Sequence, residues 1–355
     1  MINQNTIISN IVVGIDVHKR THTAVIINGS FQKLETITFS NKEEEINRFL
    51  DQVQNYGTKN IQIGLEDTGG NGYLLYRHLS EKVEIPLYNI PSTYTDKQRS
   101  LTPHKEKTDE ADALRVAEIL LIKKDQLNQV KYTQRVAKSQ EINGLISDRE
   151  FLVKDQTRLK NQLHVLLHKE FGDDYLQQIK TKQPFSKTSI KEWKSKLTKT
   201  PNSIRLKLKL QNLEQIIESI QSYTKELEKI TKTDEYVKKL KEINGCGIVT
   251  ACKITGEIQD ITKFKSSNSL AKYSGLAPRE HSSSSRVRHY TDKSGNRRLN
   301  AAIHTIGLGQ IGRMGTGLGK EYYKKKVSEG KSKLHALRCL KRKIVDVVFK
   351  KLAEV

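Results

Sequence analysis

Apolar and polar positions alternate along the first part of the chain in short runs. Residues 11–31, IVVGIDVHKRTHTAVIINGSF, predict two strands joined by a tight polar turn at His18–Thr21. NIQIGLEDTG and VEIPLYNIPS predict two more strands, and helical spacing at 42–56, 73–82 and from about Asp109 to Lys124 predicts helices between and after them. Strands that alternate with helices over short connections are typical of an α/β sheet covered by helices.

The middle of the chain has the period of long helices. Leu145, Leu152, Leu159 and Leu166 recur every seven residues, and apolar positions in 204–240 alternate at spacings of three and four. Both patterns predict coiled-coil-like helices, which would bind nucleic acid, join subunits, or both. The alternative is a solvated antiparallel hairpin with only a spacing role. We predict that the segment between them, 170–203, is a mobile or lightly ordered basic connection.

The last third of the chain predicts a mostly helical domain. EINGCGIVTACKITGEI places Gly245 and Gly247 in a turn between two helical segments, as in a helix-hairpin-helix, whose backbone N–H groups bind phosphate. A basic helix ends the chain, and its apolar stripe consists of Leu337, Leu340, Ile344, Val347 and Val348. We therefore predict three parts: an α/β domain over 1–127, a coiled-coil region over 128–235 and a helical domain over 236–355.

The charge of the chain indicates its class of partner. Lys plus Arg is 62 and Asp plus Glu is 40, which gives a net charge of +22. Such a field attracts polyanions and binds nucleic acid through phosphate contacts. The composition excludes collagen, a disulfide scaffold and a membrane channel.

Cysteine usage and the N-terminus indicate the compartment. Cys246, Cys252 and Cys339 form no C-x-x-C pair, so we expect free thiols, a reducing environment and no zinc site. We find no secretory signal and no apolar stretch that would span a bilayer. We expect a cytoplasmic, nucleoid-associated prokaryotic protein.

Two carboxylates lie in apolar strands, where a charge costs free energy, and two more lie on one face of a helix. Asp16 interrupts an apolar strand and Glu66 ends another, while Asp109 and Asp112 share one face of a helix. Buried carboxylates cost free energy unless they are paired or metal-bound, and four that converge would hold divalent cations for phosphodiester chemistry. The alternative is four unrelated acids, with Asp109 as a helix N-cap.

A run of serines forms the second candidate site. Ser282–Ser285 are flanked by arginines, which are Arg279, Arg286, Arg288, Arg297 and Arg298. A serine nucleophile needs its proton removed and the attacked phosphate held by positive charge, and arginine does the latter by bidentate contact. The alternative is a polar loop, which a bare serine run far more often is.

Two further patterns carry less weight. GLGQIG at Gly307–Gly312 fits G-x-G-x-x-G but follows a helix-like segment rather than a strand, so we reject dinucleotide binding. His18 and His22 are four apart in a strand turn, and we predict that both face solvent or phosphate.

Several stretches together resemble a known family. GIDVHKRTHTAVI, GLEDTGGNGYLLYRHL and KTDEADALRVAEIL are similar to the N-terminal domain of the Piv-like DEDD transposases of bacterial insertion sequences. INGCGIVTACKITGEIQDITKFKSSNSLAKYSGLAPREHSSSS and KSGNRRLNAAI resemble the second domain of the same family, in the same order. The resemblance implies a RuvC-like, RNase H-type fold for about residues 10–125, with the DEDD tetrad at Asp16, Glu66, Asp109 and Asp112.

The resemblance also implies a catalytic serine in the C-terminal domain. The family has a Ser-Gly pair about five residues after a G-L-x-P proline; here Pro278 leads to Ser283, which is followed by Ser284 instead of glycine. Ser282 is the second candidate, and the choice within Ser282–Ser285 stays open. Asn300 stands where the family often has arginine.

Family membership would further imply guidance by a structured non-coding RNA that pairs with donor and target DNA. The expected activity is RNA-guided cutting and rejoining of double-stranded DNA, with Mg²⁺ at the acids and the serine as nucleophile, by a homodimer or homotetramer. The alternatives are a site-specific DNA invertase with the same chemistry, a RuvC-like structure-selective nuclease that uses water, and a basic nucleic-acid-binding scaffold.

Overall fold

The computed structural model describes most of the chain and divides it into two compact units, Met1–Ala137 and Lys138–Val355. It describes residues 10–57, 61–66, 71–82, 85–101, 108–130, 133–198, 200–283, 286–291, 295–313, 315 and 317–355, with the backbone alone at 82, 128, 279–283, 286–289 and 291.

The first unit is a mixed sheet with helices on both faces. Its strands are β1 (Ile11–Val17), β2 (Thr21–Asn28), β3 (Lys33–Ser40), β4 (Ile61–Glu66), β5 (Leu87–Asn89) and β6 (Asn128–Val130). Its helices are α1 (Glu43–Gln54), α2 (Tyr73–Lys82), α3 (Ser92–Leu101) and α4 (Asp109–Lys123), followed by a 3₁₀ turn at Lys124–Gln126. The strand order is β3-β2-β1-β4-β5-β6; β1 is parallel to β4 and β4 to β5, and the other neighbours are antiparallel.

The central strand β1 is apolar because both of its faces are covered. Val13 and Ile15 pack with α1 and α2, whereas Val12 packs with α4 on the opposite face. A Cβ atom at Gly14 would lie 2.2 Å from the carbonyl oxygen of Ala113. Only glycine therefore lets α4 cross this close to β1, and this crossing fixes where α4 begins.

The sequence analysis is correct for most of these elements and misses three. The predicted pair of strands over 11–31 and the helices over 42–56, 73–82 and 109–124 are confirmed. It misses β3, α3 and β6. β3 lies at the edge of the sheet and buries only Ile37 and Phe39, so its KLETITFS sequence lacks a continuous apolar run.

The second unit is mostly helical. Its helices are α5 (Gln134–Phe171, from residue 138 onward), α6 (Lys187–Ser195), α7 (Pro201–Ile230), α8 (Glu235–Lys241), α9 (Ile248–Ile258), α10 (Ser267–Tyr273), α11 (Arg297–Ile311), α12 (Leu318–Ser328) and α13 (Lys333–Ala353). Short 3₁₀ turns lie at Tyr175–Gln178 and Ile261–Lys263, and a hairpin is formed by β7 (Pro278–Ser283) and β8 (Arg286–Thr291).

The two long helices, α5 and α7, form an antiparallel hairpin within the chain. Arg149 Nε donates to Thr224 Oγ1 at 2.9 Å, and Lys209 Nζ donates to Gln162 Oε1 at 2.7 Å. Beside the second contact Leu163 packs in one cluster with Leu206 and Leu210. The apolar stripes of α5 and α7 therefore pack on each other within one chain, which agrees with the alternative of an antiparallel hairpin. Pairing between subunits stays a prediction.

The end of this hairpin corrects the prediction of a mobile connection over 170–203. These residues fold around Trp193, which is fully buried and donates from Nε1 to the Pro184 carbonyl oxygen at 2.9 Å. The Phe171 ring lies 5.4 Å from the Trp193 ring. The sequence analysis missed this core because its buried residues have no regular period among the lysines. We call residues 172–209 the head.

The foot of the hairpin belongs to the core of the C-terminal helices. Ile142 of α5 and Leu227 of α7 pack in one cluster with α8 to α13. The predicted stripe of the last helix is buried at Leu337, Leu340, Ile344 and Val348, but Val347 is 44% exposed, because it lines an open cavity of about 790 Å³. Among the described residues, every helix lacks the apolar length that a bilayer crossing requires.

Candidate active site

Two carboxylates lie side by side at the ends of adjacent parallel strands. Asp16 of β1 pairs in register with Glu66 of β4, as Gly14 pairs with Gly64. Because side chains alternate along a strand, Asp16 and Glu66 lie on the same face as these glycines, which is the face that α4 covers. The sequence analysis placed both acids on strands, and the register brings them together.

The first turn of α4 adds the other two predicted acids. Thr108 is the N-cap, since its side chain accepts a hydrogen bond from the Ala111 N–H, so the suggestion that Asp109 is the cap is wrong. Asp109 is exposed, whereas Asp112 is buried. The close crossing at Gly14 holds this first turn beside the end of β1.

His18 joins Asp16 to Asp109. Its Nε2 atom lies 3.1 Å from Asp16 Oδ2 and 3.3 Å from Asp109 Oδ1. These three side chains offer ligand atoms that all lie within 4.8 Å of one another. The role of His18 was not predicted from the sequence, although a histidine two residues beyond the strand carboxylate, on the same face, is a signal for it.

The prediction that His22 faces solvent or phosphate is wrong. His22 is fully buried, and its ring lies 5.3 Å from the ring of Phe39. Its position in β2, within the apolar core of the sheet, explains the burial.

Burial and mutual repulsion make the strand carboxylates hold their protons more tightly than usual. Burial raises the pKa of Asp16, which the nearby His18 lowers and the charges of Asp112 and Asp109 raise. Burial also raises the pKa of Glu66, against a hydrogen bond from Thr95 that lowers it, and Asp16 and Asp112 raise it further. The negative charges of these side chains therefore repel one another, and a bound cation would reduce that repulsion.

Asp112 has two arginine partners that the sequence analysis missed. Arg115 Nη1 donates to Asp112 Oδ1 at 2.6 Å, and Arg99 Nη2 donates to the same oxygen at 2.8 Å. The hydrogen bond to Asp112 raises the pKa of Arg99. Arg115 is one turn along α4, but Arg99 comes from the unpredicted helix α3. Both contacts end on one oxygen of Asp112, and together they fix the side chain.

The donor set fits a divalent metal ion. Carboxylate oxygens suit hard cations such as Mg²⁺, and an imidazole nitrogen suits several transition metals. The exposed His18 and Asp109 leave this edge of the sheet open to solvent. A divalent cation held by these residues would polarise a phosphodiester oxygen.

The predicted serines lie at the end of the β7–β8 hairpin. Ser282 pairs with Val287 and Ser283 with Arg286 in the backbone register, while Ser284 and Ser285 lie outside the described residues. The side chains of Ser282, Ser283, Arg279, Arg286 and Arg288 also lie outside them. The sequence analysis predicted no strands in this segment, because serine and arginine give it no apolar alternation.

The base of this hairpin is clamped to α10. Gly295 has φ +91°, and a Cβ atom there would lie 2.6 Å from the backbone nitrogen of Gly275. Asn296 donates from its backbone to the Tyr273 carbonyl oxygen at 2.7 Å and from Nδ2 to Glu257 Oε2 at 2.6 Å. Gly295 and Asn296 thus fix the base of the β7–β8 hairpin, which carries the serines.

The remaining predicted binding residues have mixed surroundings. Arg297 is exposed, but Arg298 Nη1 lies 3.1 Å from Glu257 Oε1 and Arg298 Nη2 lies 3.3 Å from Glu150 Oε2. Asn300, which replaces the family's arginine, donates to the Ser274 carbonyl oxygen at 2.9 Å.

The glycine turn between α8 and α9 is present. Gly245 has φ +84°, and its inner side packs against Ile306 of α11. Gly247 is the exposed N-cap of α9 and has no neighbour within 4 Å of a Cβ position. The turn therefore has one packed side and one open side.

Two family models match the chain. A transposase model of the DEDD IS110 type matches residues 13–171, and a model described as the transposase IS116/IS110/IS902 family matches residues 237–324. The first range contains all four predicted acids and His18, and the second contains the serine hairpin.

The chain is also similar to two curated proteins. It is 29% identical over 153 residues to the "Transposase for insertion sequence element IS1111A" of Coxiella burnetii, a match that covers 42% of this chain and 40% of that protein. It is 22% identical over 384 residues to the "Insertion element IS116 uncharacterized 44.8 kDa protein" of Streptomyces clavuligerus, which covers 96% of this chain and 94% of that protein.

Proposed function

We propose that this chain, which belongs to the DEDD transposases of the IS110/IS116 family, cuts and rejoins double-stranded DNA as the recombinase of an insertion sequence. The observation that carries the proposal is the meeting of Asp16, His18 and Asp109, with Glu66 beside Asp16 in register. A basic chain of net charge +22 that carries such an acidic site is suited to a polyanionic substrate with a metal.

The four acids would hold the metal, which we take to be Mg²⁺, in a RuvC-like, RNase H-type domain over about residues 10–125. A bound divalent cation polarises a phosphodiester oxygen and stabilises the leaving oxygen. His18 reduces the repulsion between Asp16 and Asp109 by placing one nitrogen between their oxygens. Arg99 and Arg115 orient Asp112.

Ser283 would attack the phosphodiester and become covalently joined to DNA, with Ser282 as the second candidate. The serine hydroxyl loses its proton as its oxygen bonds to phosphorus, the bond from phosphorus to the 3′ or 5′ oxygen of the cut strand breaks, and that oxygen takes up a proton. The reverse step rejoins the strands. Arg279, Arg286, Arg288 and Arg297 would hold the phosphate, as would the open side of the turn at Gly245 and Gly247. Arg298 is engaged by two carboxylates and would contribute least.

The other proposed properties follow the family resemblance. They are a structured guide RNA, a homodimer or homotetramer joined through the helical hairpin, and a division into domains 1–127, 128–235 and 236–355. The net charge supports an RNA partner as well as DNA.

The proposal is tested in cells that contain a plasmid with the element and its flanking DNA, by measuring the recombination frequency of that plasmid. Asp16→Asn should abolish excision and joining, whereas Asp51→Asn, an exposed acid of α1, should retain wild-type frequency. Recombination by Asp16→Asn at the wild-type frequency would refute the metal site. Cleavage without rejoining or a covalent adduct would favour the structure-selective nuclease, and inversion of the flanked segment would favour the invertase.

A further inference from the structure

The head at the end of the helical hairpin carries an unusual concentration of positive charge. Between residues 179 and 209 the chain has ten lysines and arginines and one carboxylate, Glu192. Lys194 is paired with Glu214 of α7. Lys180, Lys182, Lys187 and Lys191 are exposed and have no ion pair among the described residues.

Two contacts hold the segment that carries Lys180 and Lys182 against α6, the helix that carries Lys187 and Lys191. The backbone N–H of Lys180 donates to Glu192 Oε2 at 3.3 Å, which holds Lys180 beside Glu192, the residue that follows Lys191 on α6. The Thr181 and Ser189 hydroxyls are hydrogen-bonded at 2.5 Å, which places Lys182 beside the first turn of α6, where Lys187 lies. We call these four residues the lysine face.

The lysine face is held in place by a fixed core. Ile190 and Trp193 of α6 are fully buried, and Ser189 donates to the Gln183 carbonyl oxygen at 2.7 Å. Like charges at positions i and i+4 of a helix, as at Lys187 and Lys191, destabilise it. A folded scaffold that keeps such a cluster together is best explained by a polyanion that binds there.

The aromatic residues of the head select among polyanions. Phe185 and Trp193 are buried and Tyr175 is half-buried. Proteins that bind single strands stack bases on exposed aromatic rings, and the head presents none among its described residues. The lysine face is therefore suited to phosphates of a double helix rather than to unpaired bases.

We propose that the lysine face is a separate nucleic-acid-binding surface, which grips the phosphate backbone of a double helix. This inference rests on the proposed function, which already makes duplex DNA or base-paired RNA the partner of the chain. It adds a contact region at the end of the helical hairpin, and this region lies outside both matched sequence ranges.

The test compares two quadruple variants of the full chain that remove the same charge. Lys→Gln at 180, 182, 187 and 191 removes the lysine face, and Lys→Gln at the exposed positions 324, 325, 333 and 350 of α12 and α13 is the matched control. Binding of a 30-base-pair DNA duplex, a base-paired RNA hairpin and an unstructured single strand is measured between about 50 and 200 mM salt. The fluorescence of Trp193, the only tryptophan, reports whether the head is folded.

We expect the head variant to bind at least one duplex about 10- to 100-fold more weakly than wild type, with a salt slope lower by about 3, and the control to change less than about threefold. A loss for DNA alone or RNA alone identifies which duplex the face holds. Equal losses in both variants, or a loss confined to the single strand, would overturn the proposal. Because binding is measured without strand exchange, a chain that binds through the head but never recombines would refute the proposed function alone.

Discussion

The carboxylate edge of the sheet is acidic and the lysine face of the head is basic, and the two regions differ in how their charged side chains are held. The edge gathers acids where two strands and a helix converge, and each acid is tied to a partner, as His18 is to Asp16 and Arg99 to Asp112. The lysine face leaves its charges exposed and without ion pairs among the described residues. A site for chemistry needs fixed geometry, whereas a surface that grips a backbone needs accessible charge.

This difference predicts that the two regions can be separated by mutation. Loss of an acid should stop strand exchange and leave binding, because the basic surface is intact. Loss of lysines should weaken binding and leave the acids' geometry unchanged.

We expect Asp16→Asn to change activity more than any other variant. It keeps the size of the side chain and removes the charge that would bind metal, so strand exchange should fall by about three orders of magnitude or more, which corresponds to several kcal/mol of lost stabilisation. Affinity for duplex DNA, measured by fluorescence anisotropy, should stay within about threefold. A parallel loss of affinity would show that the edge binds DNA as well, and would break the separation.

A second variant removes the core beneath the lysine face. Trp193→Ala should destabilise the head by about 3–5 kcal/mol, because it opens a cavity where the largest fully buried side chain stood. Duplex binding should then fall as in the quadruple lysine variant, while Trp193→Phe should retain most of it. Normal binding by an unfolded head, judged by hydrogen exchange at residues 175–195, would contradict the need for a fixed surface.

A third pair of variants separates packing within the hairpin from pairing between subunits. Leu159 is 8% exposed and packs in the core shared by α5 and α7, whereas Leu152 is only half-buried. Leu159→Asp should lower the melting temperature, since it buries an unpaired charge. Leu152→Asp should instead lower the oligomer mass in light scattering. An unchanged mass for Leu152→Asp would remove the helical hairpin from subunit pairing.

The smallest effect is a control on the C-terminal scaffold. Burial raises the pKa of Cys246 to about 12 and that of Cys252 to about 11, whereas Cys339 is half-buried. At pH 8, iodoacetamide should modify Cys339 first and the other two about 100-fold more slowly, because the thiolate reacts. In urea all three should react together; fast modification of Cys246 in the folded chain would contradict the packing around the glycine turn.

The sequence predicts the acids better than it predicts the surfaces. Asp16 and Glu66 are informative because a carboxylate in an apolar strand has few explanations, but only the register of β1 with β4 assigns them to one face. Arg99 and Thr95 gave no such signal: both come from α3, which has a polar sequence and was not predicted. Their role depends on how α3 is placed, and periodicity carries no information about that.

The head shows the opposite case. Its composition of lysine, serine and threonine indicates disorder, yet a few apolar residues at irregular spacing, among them Phe185, Ile190 and Trp193, form a buried core. Irregular spacing defeats a periodic analysis, because the core is assembled from a turn and a short helix rather than from one face of one element. A lone tryptophan in a lysine-rich segment was the available signal.

The proposed mechanism requires a serine and a metal to act together on DNA, and trapping of a covalent protein–DNA adduct is its direct test. Wild-type chain is incubated with the element's DNA and RNA, with and without Mg²⁺, then denatured and mapped by mass spectrometry. We expect an adduct at Ser283 that requires the metal and is lost in Asp16→Asn and in Ser283→Ala; an adduct at Ser282 would keep the mechanism and move the nucleophile by one residue. Normal recombination by both Ser282→Ala and Ser283→Ala, or an adduct that forms equally without metal and in Asp16→Asn, would contradict it.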